Sequence, residues 1–236
     1  MRKLDNTEVK KYILNILCEF AAFCDQNGLR YYLSGGTLLG AVRHKGFIPW
    51  DDDVDLLMPR PDFDKLHDLL RKGNIRPYYK LISLQMGNSF WPFAKIIDTR
   101  TYVKNEYSNV DQHLWIDIFP MDGLPDDKEE SDILLSKAEP LKKWINRCSA
   151  TIGKGKGFVR SIVKIPMILF LRMYTPERFG RKLDKLAHQY DFDKQEYIGG
   201  VAWSLGPNER MKNTYHIMMW NFVGKNFMRQ HVGSFI

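Results

Sequence analysis

The stretch SGGTLLGAVRHKGFIPWDDDVDL, residues 34–56, crowds Asp51, Asp52, Asp53 and Asp55 into five positions just behind Arg43, His44 and Lys45. Like charges this close repel one another, so water or a cation has to offset them. In extended backbone, side chains alternate between the two faces with a period of two. That alternation predicts Asp51, Asp53 and Asp55 on one face, and Asp52 and Val54 on the other. Carboxylates at i and i+2 converge on hard divalent cations, which take oxygen ligands and keep waters that a phosphate can replace. Two such ions about 3.5–4 Å apart can hold both the attacking and the leaving oxygen of a phosphoryl displacement. A lone Asp-x-Asp is more often a solvated turn or a helix cap. Here the cluster runs into Val54, Leu56 and Leu57, follows a Gly-Gly turn, and has a distant partner. The partner is Asp117 in LWIDIFP, 114–120, a single charge between Ile116 and Ile118. Burying it unpaired is costly, so it asks for a cation.

Outward from this stretch, Ser34, Gly35 and Gly36 form a small turn ahead of a short helix, TLLGAVR, with Thr37 near its start. Backbone N–H groups at such a turn approach a phosphate closely, and the helix dipole favours the anion. GKGKG at 153–157 lacks the spacing of a nucleotide-binding glycine loop and reads as a basic loop. Upstream, Val9, Tyr12, Ile13, Ile16, Leu17, Phe20, Phe23 and Cys24 recur at helical spacing, with Gly28 as the C-cap. LRYYLS and VDLLMP read as strands, and DFDKLHDLLRK as a helix capped by Asp62. YKLISLQ, FWPFAKIID, TYVKN and LWIDIFP read as further strands. From Asp126 to Tyr190 the pattern turns helical: DKEESDILLSKAEPLKKWINR, FVRSIVKIPMILFLRMY and PERFGRKLDKLAHQY. The fold class is α+β with a mixed sheet. Residues 1–125 read as the α+β core, the catalytic unit on the resemblance given below, and 126–236 as a mainly helical C-terminal part packed on it.

Cys18, Cys24 and Cys148 show no metal or disulfide spacing and read as reduced thiols of a cytoplasmic protein. The N-terminus, MRKLDNTEVKKY, lacks the apolar core of a signal peptide. No apolar run reaches the roughly 20 residues needed to span a bilayer. The formal charge of +7 is uneven, because nine Lys or Arg face two acids between Thr151 and Tyr190, which accounts for the whole excess. Such a face attracts anions, or it is a solvated pair of helices. KGFVRSIVKIPMILFLRMY, 156–174, is basic and apolar enough to rest on an anionic membrane surface at its inner face, or to be a buried helix with a basic rim. Pro166 interrupts it.

SGGTLLGAVRHKGFIPWDDDVDL, PFAKIID (92–98) and WIDIFPMDGLP (115–125), in this order, resemble the LicD family, to which fukutin-type proteins are related. The likeness is close over roughly residues 8 to 125, and YIGGVAWSLGPNERM, 197–211, resembles a later family segment. The resemblance implies the nucleotidyltransferase fold shared with polymerase β. It implies transfer of a phosphoalcohol, phosphocholine from CDP-choline in the best-known case, onto a glycan hydroxyl with Mg²⁺ or Mn²⁺ as cofactor. The acceptor would be a cell-surface glycan precursor, lipid-linked in one version, and no nucleic acid is expected as partner. On this resemblance Asp53 and Asp55 match the metal-binding pair, Asp117 the third carboxylate, and Asp51 a further acid beside them. Gly35, Gly36 and Thr37 match the phosphate-facing turn. Arg43, His44 and Lys95 are candidates for gripping the diphosphate, with a surface lysine and a packing histidine as the plainer readings. Trp50 and Trp115 flank a base or a choline, or sit in the core. FVGKNF, 222–227, resembles the start of a longer family segment, and MRQHVGSFI then ends the sequence, which reads as a shortened C-terminal region. A pyrophosphate-releasing nucleotidyltransferase and an inactive glycan-binding homologue remain open beside the transferase.

Overall fold

The computed structural model describes residues 2–103, 113–148, 176–203 and 210–213. Helix α1 spans Asn6–Asn27. Asp5 caps it by accepting from the Glu8 backbone N–H, and Glu8 returns the bond to the Asp5 N–H. It ends at Gly28, which takes the left-handed conformation (φ 63°) that glycine adopts without strain. Strand β1 (Tyr32–Leu33), helix α2 (Gly35–His44), strand β2 (Asp55–Pro59) and helix α3 (Arg60–Lys72) follow. Strands β3 (Tyr79–Ile82), β4 (Ala94–Asp98) and β5 (Leu114–Leu124) complete the first part. Helices α4 (Lys128–Cys148) and α5 (Pro176–Ala187) then lead to strands β6 (Tyr197–Gly199) and β7 (Arg210–Lys212).

The sheet is mixed, in the order β1-β2-β5-β4-β3, with β6 joined to the end of β5 and β7 to β6. Strand β5 is central: β2 runs parallel to it and β4 antiparallel. Alternation along β5 sends Ile116 and Ile118 to one face, where Ile16 and Phe20 of α1 and Phe63 and Leu66 of α3 bury them. Trp115, Asp117 and Phe119 point to the opposite face and are only half-buried. A second cluster forms where α4 packs on α5, with Leu134, Ala138, Ile145, Leu183 and Ala187 inside and Trp144 stacked on Phe179. Among the described residues, no helix is long and apolar enough to cross a membrane.

Several expectations change. Strand β2 begins only at Asp55, so Asp51 to Val54 are not placed by strand alternation. Gly35 and Gly36 are the first turn of α2 rather than a turn ahead of it. Helix α3 starts two residues earlier than predicted, from Pro59 as its N-cap. Asp62 does not cap it, because its carboxylate accepts from the Arg30 guanidinium (2.6 Å) and backbone N–H (3.2 Å). Tyr102 and Val103 are not in a strand, since Thr101 turns the chain by donating to Asp98 O and accepting from Leu114 N–H. The C-terminal part is not purely helical, because β6 and β7 continue the sheet beyond residue 125. The helix predicted over 158–174, its membrane contact, and the sequence after residue 213 lie outside the described residues.

Candidate active site

Asp55 is fixed at the junction of α2 and β2 by its own backbone. Its N–H donates to the Thr37 hydroxyl (2.9 Å), and its carbonyl accepts from the Ser34 N–H (3.0 Å). Thr37 therefore joins helix to strand by accepting this bond. In the β2–β5 register Asp55 lies opposite Asp117, and in the β4–β5 register Asp117 lies opposite Lys95. Neighbouring strands are about 4.8 Å apart, so Asp55, Asp117 and Lys95 form one row on one face of the sheet. The Asp117 N–H, bound to Val54 O at 2.8 Å, holds this register next to the acidic loop.

Both oxygens of Asp117 are engaged. Lys95 Nζ lies 3.1 Å from Oδ1, and the Trp115 indole N–H donates to Oδ2 at 2.7 Å. Trp115 is thus not a core tryptophan, and Lys95, 7% exposed, is not a surface lysine. Trp50 is not core either, being 83% exposed with its ring edge-on to His44 at 6.5 Å. Arg43 and His44 are exposed on the last turn of α2. At 1.5 Å rise per residue, Arg43 lies about 12 Å along the axis from Gly35.

The glycines serve an unexpected purpose. A Cβ on Gly36 would run into Asp51 Oδ2, and one on Gly35 would meet Asp55 Oδ2 at 3.6 Å. Gly35 also has φ +50°, a conformation in which glycine avoids the cost other residues meet. The bare first turn of α2 therefore admits two carboxylates against a helix N-terminus, which favours negative charge. Asp52 and Asp53 are both exposed, and Asp53 is linked to the cluster through the neighbouring charges of Asp55 and Asp51.

Electrostatics show the stress in this arrangement. Partial burial, then the charges of Asp117 and Asp51, push the Asp55 carboxyl up to about 6, against the pull of Lys95. Partial desolvation, then Asp55 and Asp51, push Asp53 up to about 6 as well. Carboxylate oxygens are the donor set that hard divalent cations take, and a dication would relieve this repulsion. Among the described residues, no three such donors converge into a ready-made cage. Asp51, Asp53 and Asp55 line an open acidic edge rather than a closed cage, and theirs are the carboxylates that could hold such a cation.

Two features escaped the sequence reading. The bond between Trp115 and Asp117 was legible only as shared strand parity. The contact between Gly36 and Asp51 has no local signal. Further along β5, Asp122 (0% exposed) accepts from Arg60 Nε (2.7 Å) and from the Ala202 N–H (3.0 Å), and Arg60 also reaches Asp184 at 3.4 Å.

A mixed sheet that sets acids from two parallel strands beside a helix N-terminus defines a centre suited to handling phosphates. The family model described as the LicD/FKTN/FKRP nucleotidyltransferase domain matches residues 28–143, and the chain belongs to the LicD family. It is 30% identical over 233 residues to the lipopolysaccharide cholinephosphotransferase LicD of Haemophilus influenzae, covering 96% of this chain and 86% of that protein. It is 47% identical over 49 residues to the human ribitol 5-phosphate transferase FKRP, covering 21% of this chain and 8% of that protein. The mouse counterpart matches to the same extent.

Proposed function

We propose that the protein transfers a phosphoalcohol group, phosphocholine from CDP-choline, onto a hydroxyl of a cell-surface glycan precursor, with CMP leaving. The family membership and the names of the two relatives, a cholinephosphotransferase and a ribitol 5-phosphate transferase, support this class of chemistry. The observation that carries it is Asp55 facing Asp117 across β2 and β5, with Asp51 and Asp53 beside them. On this reading the sheet is the core of a polymerase-β-like nucleotidyltransferase fold, residues 1–125 being the catalytic unit and 126–236 the C-terminal part. The protein works in the cytoplasm, at the inner membrane face where the acceptor is lipid-linked.

Asp53 and Asp55, with Asp51 and Asp117 nearby, are the residues that would hold Mg²⁺ or Mn²⁺, which would supply charge neutralisation at the donor's diphosphate. The chain's own groups do the rest. Asp117, with Oδ2 steadied by Trp115, orients the acceptor hydroxyl and takes its proton as the oxygen attacks phosphorus. A new P–O bond forms to the glycan, the P–O bond to CMP breaks, and CMP carries away the electron pair. Lys95 is the cation in the row placed to meet the diphosphate. Arg43 and His44, exposed on the last turn of α2, serve the outer end of the donor.

The test is incubation with Mg²⁺ and a panel of CDP-alcohols, CDP-choline and CDP-ribitol included, with and without candidate glycans, reading CMP. Acceptor-dependent CMP release is the expected result. Pyrophosphate release from a nucleoside triphosphate, with no CMP from any CDP-alcohol, would overturn the reading in favour of nucleotidyl transfer.

A further inference from the structure

Helix α5 buries Gly180, Leu183 and Ala187. A Cβ on Gly180 would meet Phe90 O at 2.8 Å, so the helix is mounted hard against the protein. On its other side Arg178, Arg181, Lys182 and Lys185 are all exposed. Their spacing, i, i+3, i+4 and i+7, sets them in one stripe about 10 Å long. They supply four of the nine cations that make up the basic excess between Thr151 and Tyr190. Among the described residues none of the four forms an ion pair. The helix has two acids, and Asp184 is turned inward, accepting from Arg60 (3.4 Å) and Gln85 (2.9 Å). One edge of the stripe is apolar. Phe179 and Leu186 are half-buried there, Phe179 stacks on Trp144 of α4 at 6.0 Å, and Arg147 lies over the same indole at 5.5 Å.

We propose that α5 and the adjoining end of α4 dock the protein on an anionic membrane surface, the four cations meeting lipid phosphates while Trp144, Phe179 and Leu186 rest at headgroup level. Four like charges held side by side repel one another, and an extended array of anions relieves all of them together. A soluble polyanion would answer the charges and leave the apolar rim without a role. Cations on the polar side, with Trp, Phe and Leu beside them, are what an interfacial helix presents to lipid. Leu183 and Ala187 stay in the core, so the helix docks whole as a rigid plate, and the contact is electrostatic and reversed by salt. The proposal rests on the reading given above, in which a lipid-linked acceptor reaches the protein in the plane of the membrane.

The experiment floats the full chain with vesicles of phosphatidylcholine alone, and of an equal mixture of phosphatidylcholine and phosphatidylglycerol. Wild type is expected to float with the anionic vesicles only, and to be released by raised salt. Arg181→Gln, Lys182→Gln and Lys185→Gln, made together, should lower partitioning at least about tenfold, since each cation near the surface is worth about fivefold. Glutamine is a good helix former, so far-UV circular dichroism should not change. Lys3→Gln, Lys11→Gln and Lys80→Gln remove the same charge from three other exposed positions and should stay within about twofold of wild type. The proposal is overturned if wild type ignores the anionic vesicles, binds both kinds equally, or binds soluble polyphosphate but neither vesicle. It is overturned too if the α5 triple variant still floats, or if the control triple variant loses as much. No donor is used. A protein that floats but releases no CMP refutes the functional reading alone, and one that transfers but does not float refutes this proposal alone.

Discussion

Asp122→Ala tests how firmly the C-terminal part is tied to the sheet. In the folded protein the Asp122 carboxylate is fully buried, with Arg60 Nε at 2.7 Å and the Ala202 N–H at 3.0 Å. Arg60 itself is 5% exposed, so truncating Asp122 leaves a guanidinium buried beside an empty position. Breaking a buried pair from one side costs about 3–5 kcal/mol. Asp184, 3.4 Å from Arg60, remains as a second partner and places the cost near the low end, about 3 kcal/mol. The Ala202 N–H loses its acceptor too, adding about 1 kcal/mol. The total, about 4 kcal/mol, is a large share of the roughly 5–15 kcal/mol that stabilises a typical domain. Urea unfolding followed by tryptophan fluorescence should move its midpoint down by about 1–2 M. Asp122→Asn, which keeps an acceptor for Ala202, should lose about 1 kcal/mol less. The double variant Arg60→Met, Asp122→Leu should recover most of the loss, because no charge is left stranded. A loss under about 1 kcal/mol in Asp122→Ala would refute the reasoning.

Asp53→Asn and Asp55→Asn should each lower CMP release at least about a thousandfold while the unfolding midpoint stays level or rises, since each removes a repelled charge. Full activity in either would end the assignment of the acidic centre. Gly36→Ala should push Asp51 out of its place and cut CMP release with far-UV circular dichroism unchanged; an unaffected rate would show that Asp51 is dispensable. His188, bonded to Asp64 at 3.1 Å, has its pKa raised to about 9 by that bond. Its folded pKa lies above its unfolded value of about 6.5, so its contribution is full below pH about 6.5 and fades as pH climbs through about 9. Thermal melts from pH 6 to 10 should show this decline in wild type and a flatter profile in His188→Ala.

The elements were legible wherever one face is buried. The stripe from Val9 to Cys24, the strand at VDLLMP and the strand at LWIDIFP all carry a period set by burial, and all formed. Asp117 was legible for the same reason, as a charge interrupting an apolar strand. What failed was the local geometry of Asp51 to Val54. Strand alternation predicted one shared face, whereas the loop is shaped by α2 and by the approach of Asp51 to Gly36. Asp62 misled because a carboxylate next to prolines looks like a cap, and only the folded chain brings Arg30 to it. The pairing of Lys95 with Asp117 is likewise set by strand order, which no local window contains.

The parallel pairing of β2 with β5 has a consequence for how the centre comes into being. Parallel neighbours need a long crossover, and here it contains α3, β3 and β4, so Asp117 lies 62 positions past Asp55. A growing chain therefore finishes the acidic loop well before the strand that completes the centre. Asp117 joins the acidic loop through the same sheet in which β4 sets Lys95 in the row. Only the pairing of Asp55 with Asp117 is non-local, and the docking of β5 that makes it is expected to be the slow step of folding.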